Sequence, residues 1–144
     1  MKKLHAGEFD AILLAAAGLQ RLGLESEIAE IFTAEQLCPA PGQGALGLQT
    51  RLHGEAQAIC GRLNDEPTSQ AVRAERAVLA GLGGGCQLPV GAYAIVSGDS
   101  LTVSAVVVAS SSIKSSATGR ACDAEELGRG VADDLLKQGA RCLL

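Results

Sequence analysis

The residue with the clearest capacity for chemistry is Cys86, in the run Gly83-Gly84-Gly85-Cys86-Gln87-Leu88-Pro89. Three glycines clear side chains from the approach to the sulfur and allow backbone angles closed to other residues. Reactivity also needs thiolate character, from a nearby cation or a helix N-terminus. The helix read over 67–82 ends at this loop, and its C-terminal pole disfavours an anion. Activation must then come from elsewhere. The plain alternative is a glycine-rich helix cap followed by a buried thiol, the common fate of free cysteine.

A second candidate is Pro39-Ala40-Pro41-Gly42-Gln43-Gly44-Ala45. It lacks the Lys-Ser/Thr of a Walker loop. Its amides, or the Gln43 side chain, can face an anion or a ring N–H; the plainer reading is a bare connection between domains. The third is Arg21, in the run from Ala15 to Gly23. A guanidinium there has either a carboxylate or phosphate partner or a place on a helix surface. Arg73, Glu75 and Arg76 read as a solvated helix face with local pairing. His5 and His53 are isolated and read as surface positions, and no cysteines stand in CxxC spacing, so no zinc set forms. A thiol enzyme with a histidine base has no recognisable motif here.

These candidates need elements to hold them. Residues 9–17 read as a short buried strand entering a helix through Gly18, and 45–49 as a second such strand. Residues 25–36 form an amphipathic stretch, and 54–63 a helix. Asn64 and Asp65 offer cap chemistry ahead of Pro67 and a helix to residue 82, which the three glycines end. Strands follow at 92–96, 101–108 and 114–121, with a turn at Gly98-Asp99. Tyr93 is expected to pack in this sheet. Asp123 and Glu126 make a capping box for a helix over 124–138. Residues 66–144 thus predict an α+β domain: helix, three-stranded antiparallel sheet, helix. Residues 1–53 hold two strands that cannot close a sheet, and read as an α/β remnant of larger central domains.

Composition bounds the function. The chain has 144 residues, 47% hydrophobic and 19% charged, enough for a real core and too apolar for disorder. Two Phe, one Tyr and no Trp stand against 24 Ala, which predicts a thin core and a chain that packs against something absent from it. Net charge is −4, and no basic run exceeds Lys2-Lys3, so neither nucleic acid nor an anionic membrane is an expected partner. The longest apolar run, Ala11 to Ala17, is too short to span a bilayer, and the N-terminus does not read as a signal peptide. Five cysteines, an odd number at scattered positions 38, 60, 86, 122 and 142, read as reduced thiols of a cytoplasmic protein.

Four segments taken together resemble one family. Phe9 to Leu24, Pro41 to Gly47, Ala74-Glu75-Arg76-Ala77 and Gly84 to Gly91 are similar, in order and spacing, to motifs of the hydroxymethylbilane synthase (porphobilinogen deaminase) family. The resemblance covers nearly the whole chain, and the family protein is roughly twice as long, with three domains. It implies that Cys86 carries a dipyrromethane cofactor through a thioether. Porphobilinogen loses ammonia to give an azafulvene-type electrophile, and the cofactor's pyrrole carbon attacks it. After four additions, hydrolysis releases linear hydroxymethylbilane. Arg21 matches an arginine that pairs with the carboxylates of substrate or cofactor, Gln43 matches a residue of the hinge beside the cleft, and Ala15 lies on a segment lining it.

The resemblance also implies what this chain lacks. The family's general acid–base aspartate and most of its carboxylate-binding arginines belong to the N-terminal half. No residue here matches that aspartate, and neither Asp10 nor Glu75 is its equivalent. Deamination needs a proton donor at the leaving ammonia, so the chain alone is expected to be inactive. Its implied partners are porphobilinogen, oligopyrrole intermediates and that N-terminal half, in a whole protein that is monomeric. Residues 1–53 would be the end of domain two and the strand returning to domain one, 54–65 a helix of domain one, and 66–144 the cofactor-carrying domain. The alternative is a non-catalytic α+β interaction module derived from this fold.

Overall fold

A computed structural model describes residues 1–85 and 87–143. They divide into two compact units, Met1–Thr33 and Ala34–Leu144. The first unit contains helix α1 (Lys2–His5), helix α2 (Ala16–Arg21) and a 3-10 turn at Glu25–Glu27. Gly23, at φ +67°, ends α2: the Leu24 N–H reaches back to the Leu19 carbonyl at 2.9 Å and the Gly23 N–H to Gln20 at 3.1 Å. That pair of bonds satisfies carbonyls the helix leaves open.

The strands expected at 9–17 and 45–49 do not form. Residues 9–15 and 45–49 have no regular element, and residues 16 and 17 open α2. The reason is pairing. A strand exists only through a ladder with a partner, and residues 1–53 contain no strand among the described residues. Their apolar side chains stay in the open, with Leu46 86% exposed and Leu13, Leu14 and Leu48 more than half exposed. The stretch 25–36 likewise forms only the single 3-10 turn.

The second unit holds helix α3 (Glu55–Gly61), helix α4 (Glu66–Gly81), strands β1 (Val90–Ser97), β2 (Ser100–Val108) and β3 (Ser112–Arg120), and helix α5 (Ala124–Lys137). The sheet runs β1-β2-β3, antiparallel throughout, with Ala92 opposite Ala105 and Val103 opposite Ala117. Strand alternation sends Ala92, Ala94, Leu101, Val103 and Val107 into the core with α4 and α5. The opposite face carries Tyr93, 37% exposed, and two hydroxyl pairs, Thr102–Thr118 at 2.9 Å and Ser104–Ser116 at 3.0 Å. Tyr93 therefore lies in the sheet but on its open face.

Asp65 caps α4, accepting the Thr68 N–H at 2.9 Å, and Pro67 occupies the first turn. The capping box expected at α5 is absent: Asp123 makes no side-chain cap bond. A 3-10 turn, Ala121–Asp123, runs straight into α5 and holds Asp123 at φ −98°, ψ 23°. The extended backbone that aims a capping side chain at the first-turn amides is missing there.

All buried residues among those described lie at position 74 or later, and none is aromatic. Small residues let α4 and α5 approach closely instead. A Cβ on Gly128 would collide with the Ala74 carbonyl oxygen, and one on Gly81 would sit 2.6 Å from the Ala132 Cβ. Burial of Leu101, Leu135, Val78, Val103, Val107 and Val131 supplies the main apolar payload, about 1.5–3 kcal/mol each.

Two consequences can be measured by urea unfolding. Gly128→Ala should destabilise the chain by about 1–3 kcal/mol, because the obstructing atom is backbone and cannot swing aside. Gly130→Ala, with open space at its Cβ, should stabilise it by up to about 1 kcal/mol through helix propensity. Asp65 is the second case. The Thr68 hydroxyl and backbone N–H hold its carboxyl below the usual value near 3.8. A lowered folded value means stability that is complete above the usual value and lost as pH falls through the folded one. The difference in urea midpoint between wild type and Asp65→Ala should therefore be present at neutral pH and shrink in acid below the usual value.

Candidate functional site

Strand β1 is an edge strand, and its outward N–H groups need acceptors. Two come from outside the sheet. Ala92 donates to the Pro39 carbonyl at 2.9 Å, and Ala94 donates to Glu75 Oε1 at 2.9 Å. Glu75 Oε2 in turn accepts the Gly42 N–H at 2.7 Å. One carboxylate thus spans α4, β1 and the loop Pro39–Gly44. Gly42, at φ +75°, and Gly44, at φ +91°, give the loop its bend. The Gln43 side chain folds back to accept the Ala40 N–H at 3.1 Å. Cys38 lies against Gly91, where a Cβ would be only 3.0 Å from the cysteine.

This corrects the reading of Glu75 as part of a solvated face. It is 6% exposed. Burial pushes its carboxyl above the usual value, opposed by the Gly42 and Ala94 amides and the Arg76 guanidinium. The sequence held a usable signal: Glu75 stands three residues after Val72 and three before Val78, on the apolar stripe of α4. Arg73 and Arg76 do lie on the exposed side, Arg73 pairing with Glu125 at 3.2 Å.

Two clefts flank this assembly. One, of about 960 Å³, is lined by Cys38, Leu88, Gly91, Ser104, Val106 and Lys114 on the open face of the sheet. The other, of about 630 Å³, lies between the glycine loop, α3 and α4, with Gly42, Leu46, Cys60, Asn64, Val72 and Arg76 among its walls. Burial and the Glu75 carboxylate push the Cys38 thiol up, against a weaker effect of Lys114, which disfavours its thiolate and so its nucleophilicity.

Cys86 itself lies outside the described residues. Its approach is described. Gly83, Gly84 and Gly85 stand at φ +107°, +65° and +130°, and nothing lies within 4 Å of where a Cβ on any of them would be. The Gly84 N–H closes α4 on the Leu79 carbonyl at 2.9 Å. Beyond the cysteine, the Pro89 carbonyl accepts the Val108 N–H at 2.9 Å. Gly84 is thus tied to α4 and Pro89 to the sheet.

Arg21 ends α2, exposed and without an ion pair among the described residues. Ala15 is the exposed N-cap of the same helix. Both belong to the first unit, whereas Gln43 belongs to the second. His5 pairs with Glu27 at 2.9 Å, and His53 is exposed, at φ +61°. Both are surface positions, as expected. Among the described residues no cluster of His, Cys, Asp or Glu could hold a metal, and no helix is long and apolar enough to cross a membrane.

The amino-acid sequence is similar to those of known proteins. A family model described as the dipyromethane cofactor binding domain of porphobilinogen deaminase matches residues 1–58, and one for the C-terminal domain of porphobilinogen deaminase matches residues 69–137. Porphobilinogen deaminase of Thiobacillus denitrificans is 47% identical over 148 residues, covering 100% of this chain and 48% of the relative. That of Roseiflexus sp. is 44% identical over 147 residues, covering 100% and 48%. That of Acidothermus cellulolyticus is 45% identical over 150 residues, covering 99% and 45%. The chain spans about half the length of the curated relatives it matches. Two adjoining family models in the expected order, with relatives aligned from end to end of these 144 residues, show that the chain belongs to the porphobilinogen deaminase family.

Proposed function

We propose that this chain is the cofactor-carrying portion of a hydroxymethylbilane synthase, which condenses four porphobilinogen molecules stepwise into linear hydroxymethylbilane and releases ammonia, in tetrapyrrole biosynthesis. The observation that carries the reading is the Gly83–Gly85 approach to Cys86, three consecutive positive-φ residues in open space. A thioether-linked dipyrrole is bulky, and this approach presents no side chain for it to strike. When bound, the dipyrromethane supplies the pyrrole carbon to which porphobilinogen units are joined.

The chain's own residues have defined parts in this proposal. Cys86 is the attachment point, between Gly84, bonded to α4, and Pro89, bonded to β2. Porphobilinogen carries acetate and propionate groups, and the exposed Arg21 guanidinium, without an ion pair among the described residues, suits them as a bidentate donor. Ala15, with no side chain beyond Cβ, leaves room beside the same helix, and Gln43 stands on the glycine loop as the hinge residue. No residue of this chain is assigned as the acid that protonates the leaving ammonia. Residues 1–53 are proposed to belong to the central domains, 54–65 to a helix of domain one and 66–144 to the cofactor-carrying domain. The free cysteines at 38, 60, 122 and 142 fit a reducing cytoplasm.

The test is a chimaera in which these 144 residues replace the matching stretch of the Thiobacillus denitrificans relative. It should consume porphobilinogen, and Cys86→Ser should abolish turnover. Arg21→Ala should lower kcat/KM by about 10- to 100-fold, the usual effect of losing a charged hydrogen bond. A folded chimaera that leaves porphobilinogen untouched would support the non-catalytic alternative instead.

A further inference from the structure

We propose that Glu75 is a positioning residue: by accepting one N–H from Gly42 and one from Ala94, its carboxylate latches the Gln43 loop to the elements that flank Cys86. The geometry is specific. Oε2 to Gly42 is 2.7 Å and Oε1 to Ala94 is 2.9 Å. The two donors belong to different segments, 33 and 19 residues from Glu75 along the chain. A buried carboxylate is costly unless its lone pairs are satisfied, and Glu75 makes no salt bridge among the described residues. An apolar residue would fill this place on the stripe of α4 at lower cost. What only an acid supplies is two acceptor oxygens on one rigid plane, one for each segment.

The position of the latch makes it more than a packing detail. From Glu75, α4 continues to Gly81 and leads into the three glycines before Cys86. β1 begins at Val90, just after it, and Ala94 lies within β1. Gln43 follows directly on Gly42. Glu75 therefore joins the loop bearing Gln43 to both flanks of the Cys86 segment. The Pro39–Ala92 bond and the contact of Cys38 with Gly91 hold the start of that loop, so Glu75 is the fastener at its far end. The functional weight of Gln43 and Cys86 rests on the function proposed above; the latch itself does not.

Residue-resolved hydrogen exchange on the 144-residue chain tests this. In wild type the Gly42 and Ala94 amides should be protected. In Glu75→Ala both should exchange at least about tenfold faster, while the β2 amides from Leu101 to Val107 change by less than about twofold. Glu75→Gln, which keeps the shape but has one acceptor oxygen, should free only one of the two amides. It also covers the case in which the alanine variant fails to fold. Unprotected Gly42 in wild type, unchanged Gly42 and Ala94 in the variants, or an equal rise across β2 would each overturn the latch. In the chimaera, Glu75→Ala should lower kcat for porphobilinogen at least about tenfold with KM changed less than about twofold, and Glu75→Gln should recover part of the loss. An unchanged kcat in Glu75→Ala would overturn the positioning role, whereas a chimaera inactive even with Glu75 in place would remove the proposed function and leave the latch standing.

Discussion

The open edge of β1 is the constraint around which the second unit is arranged. An exposed strand edge invites pairing with another chain. Here the Pro39 carbonyl takes the Ala92 N–H and the Glu75 carboxylate takes the Ala94 N–H. Closing the edge this way draws a loop with no regular structure against a sheet and fixes its glycines. The same carboxylate commits α4 to a single rotation about its axis, with Ala74 and Val78 inward and Arg73 and Arg76 outward. The orientation of α4 then sets where its glycine-rich end, Gly83 to Gly85, leaves the helix.

The shortage of aromatic residues has a structural counterpart. α4 and α5 meet through Gly81, Ala132, Gly128 and Ala74, and a close helix pair leaves little volume to fill. Valine and leucine from the sheet and its two helices suffice. Many large hydrophobic residues lie outside this core. Phe9, Leu13, Leu14, Leu22, Ile31 and Phe32 in the first unit are exposed, as are Leu46, Leu48 and Leu52 in the second. Such a density of exposed apolar side chains fits surfaces that are covered in a larger protein, in keeping with relatives about twice as long.

The sheet and its two helices were legible because their signals are local. β-branched runs separated by Gly98-Asp99, the Asp65 cap and the Gly83 stop each act over a few residues. The strands expected at 9–17 and 45–49 were read from apolar runs of the right length, but such a run becomes a strand only beside a partner. The capping box at Asp123 failed because the preceding 3-10 turn fixes a backbone angle that a four-residue motif does not encode. Among the candidate residues, the glycine loop, Arg21 and Gln43 lie in segments that resemble family motifs, and three glycines single out Cys86. Glu75 was misread because charge outweighed periodicity. Its donors, Gly42 and Ala94, are distant in sequence, and no local pattern brings them together.

Peptide mapping by mass spectrometry is the most direct measurement of the central claim, that the glycine-flanked thiol is the attachment point for a growing oligopyrrole. The purified chimaera would be incubated with preformed hydroxymethylbilane and digested. The account predicts a pyrrole-derived mass on the peptide containing Cys86, absent after Cys86→Ser. An unmodified Cys86 in an active chimaera, or the added mass on Cys38, Cys60, Cys122 or Cys142, would contradict it.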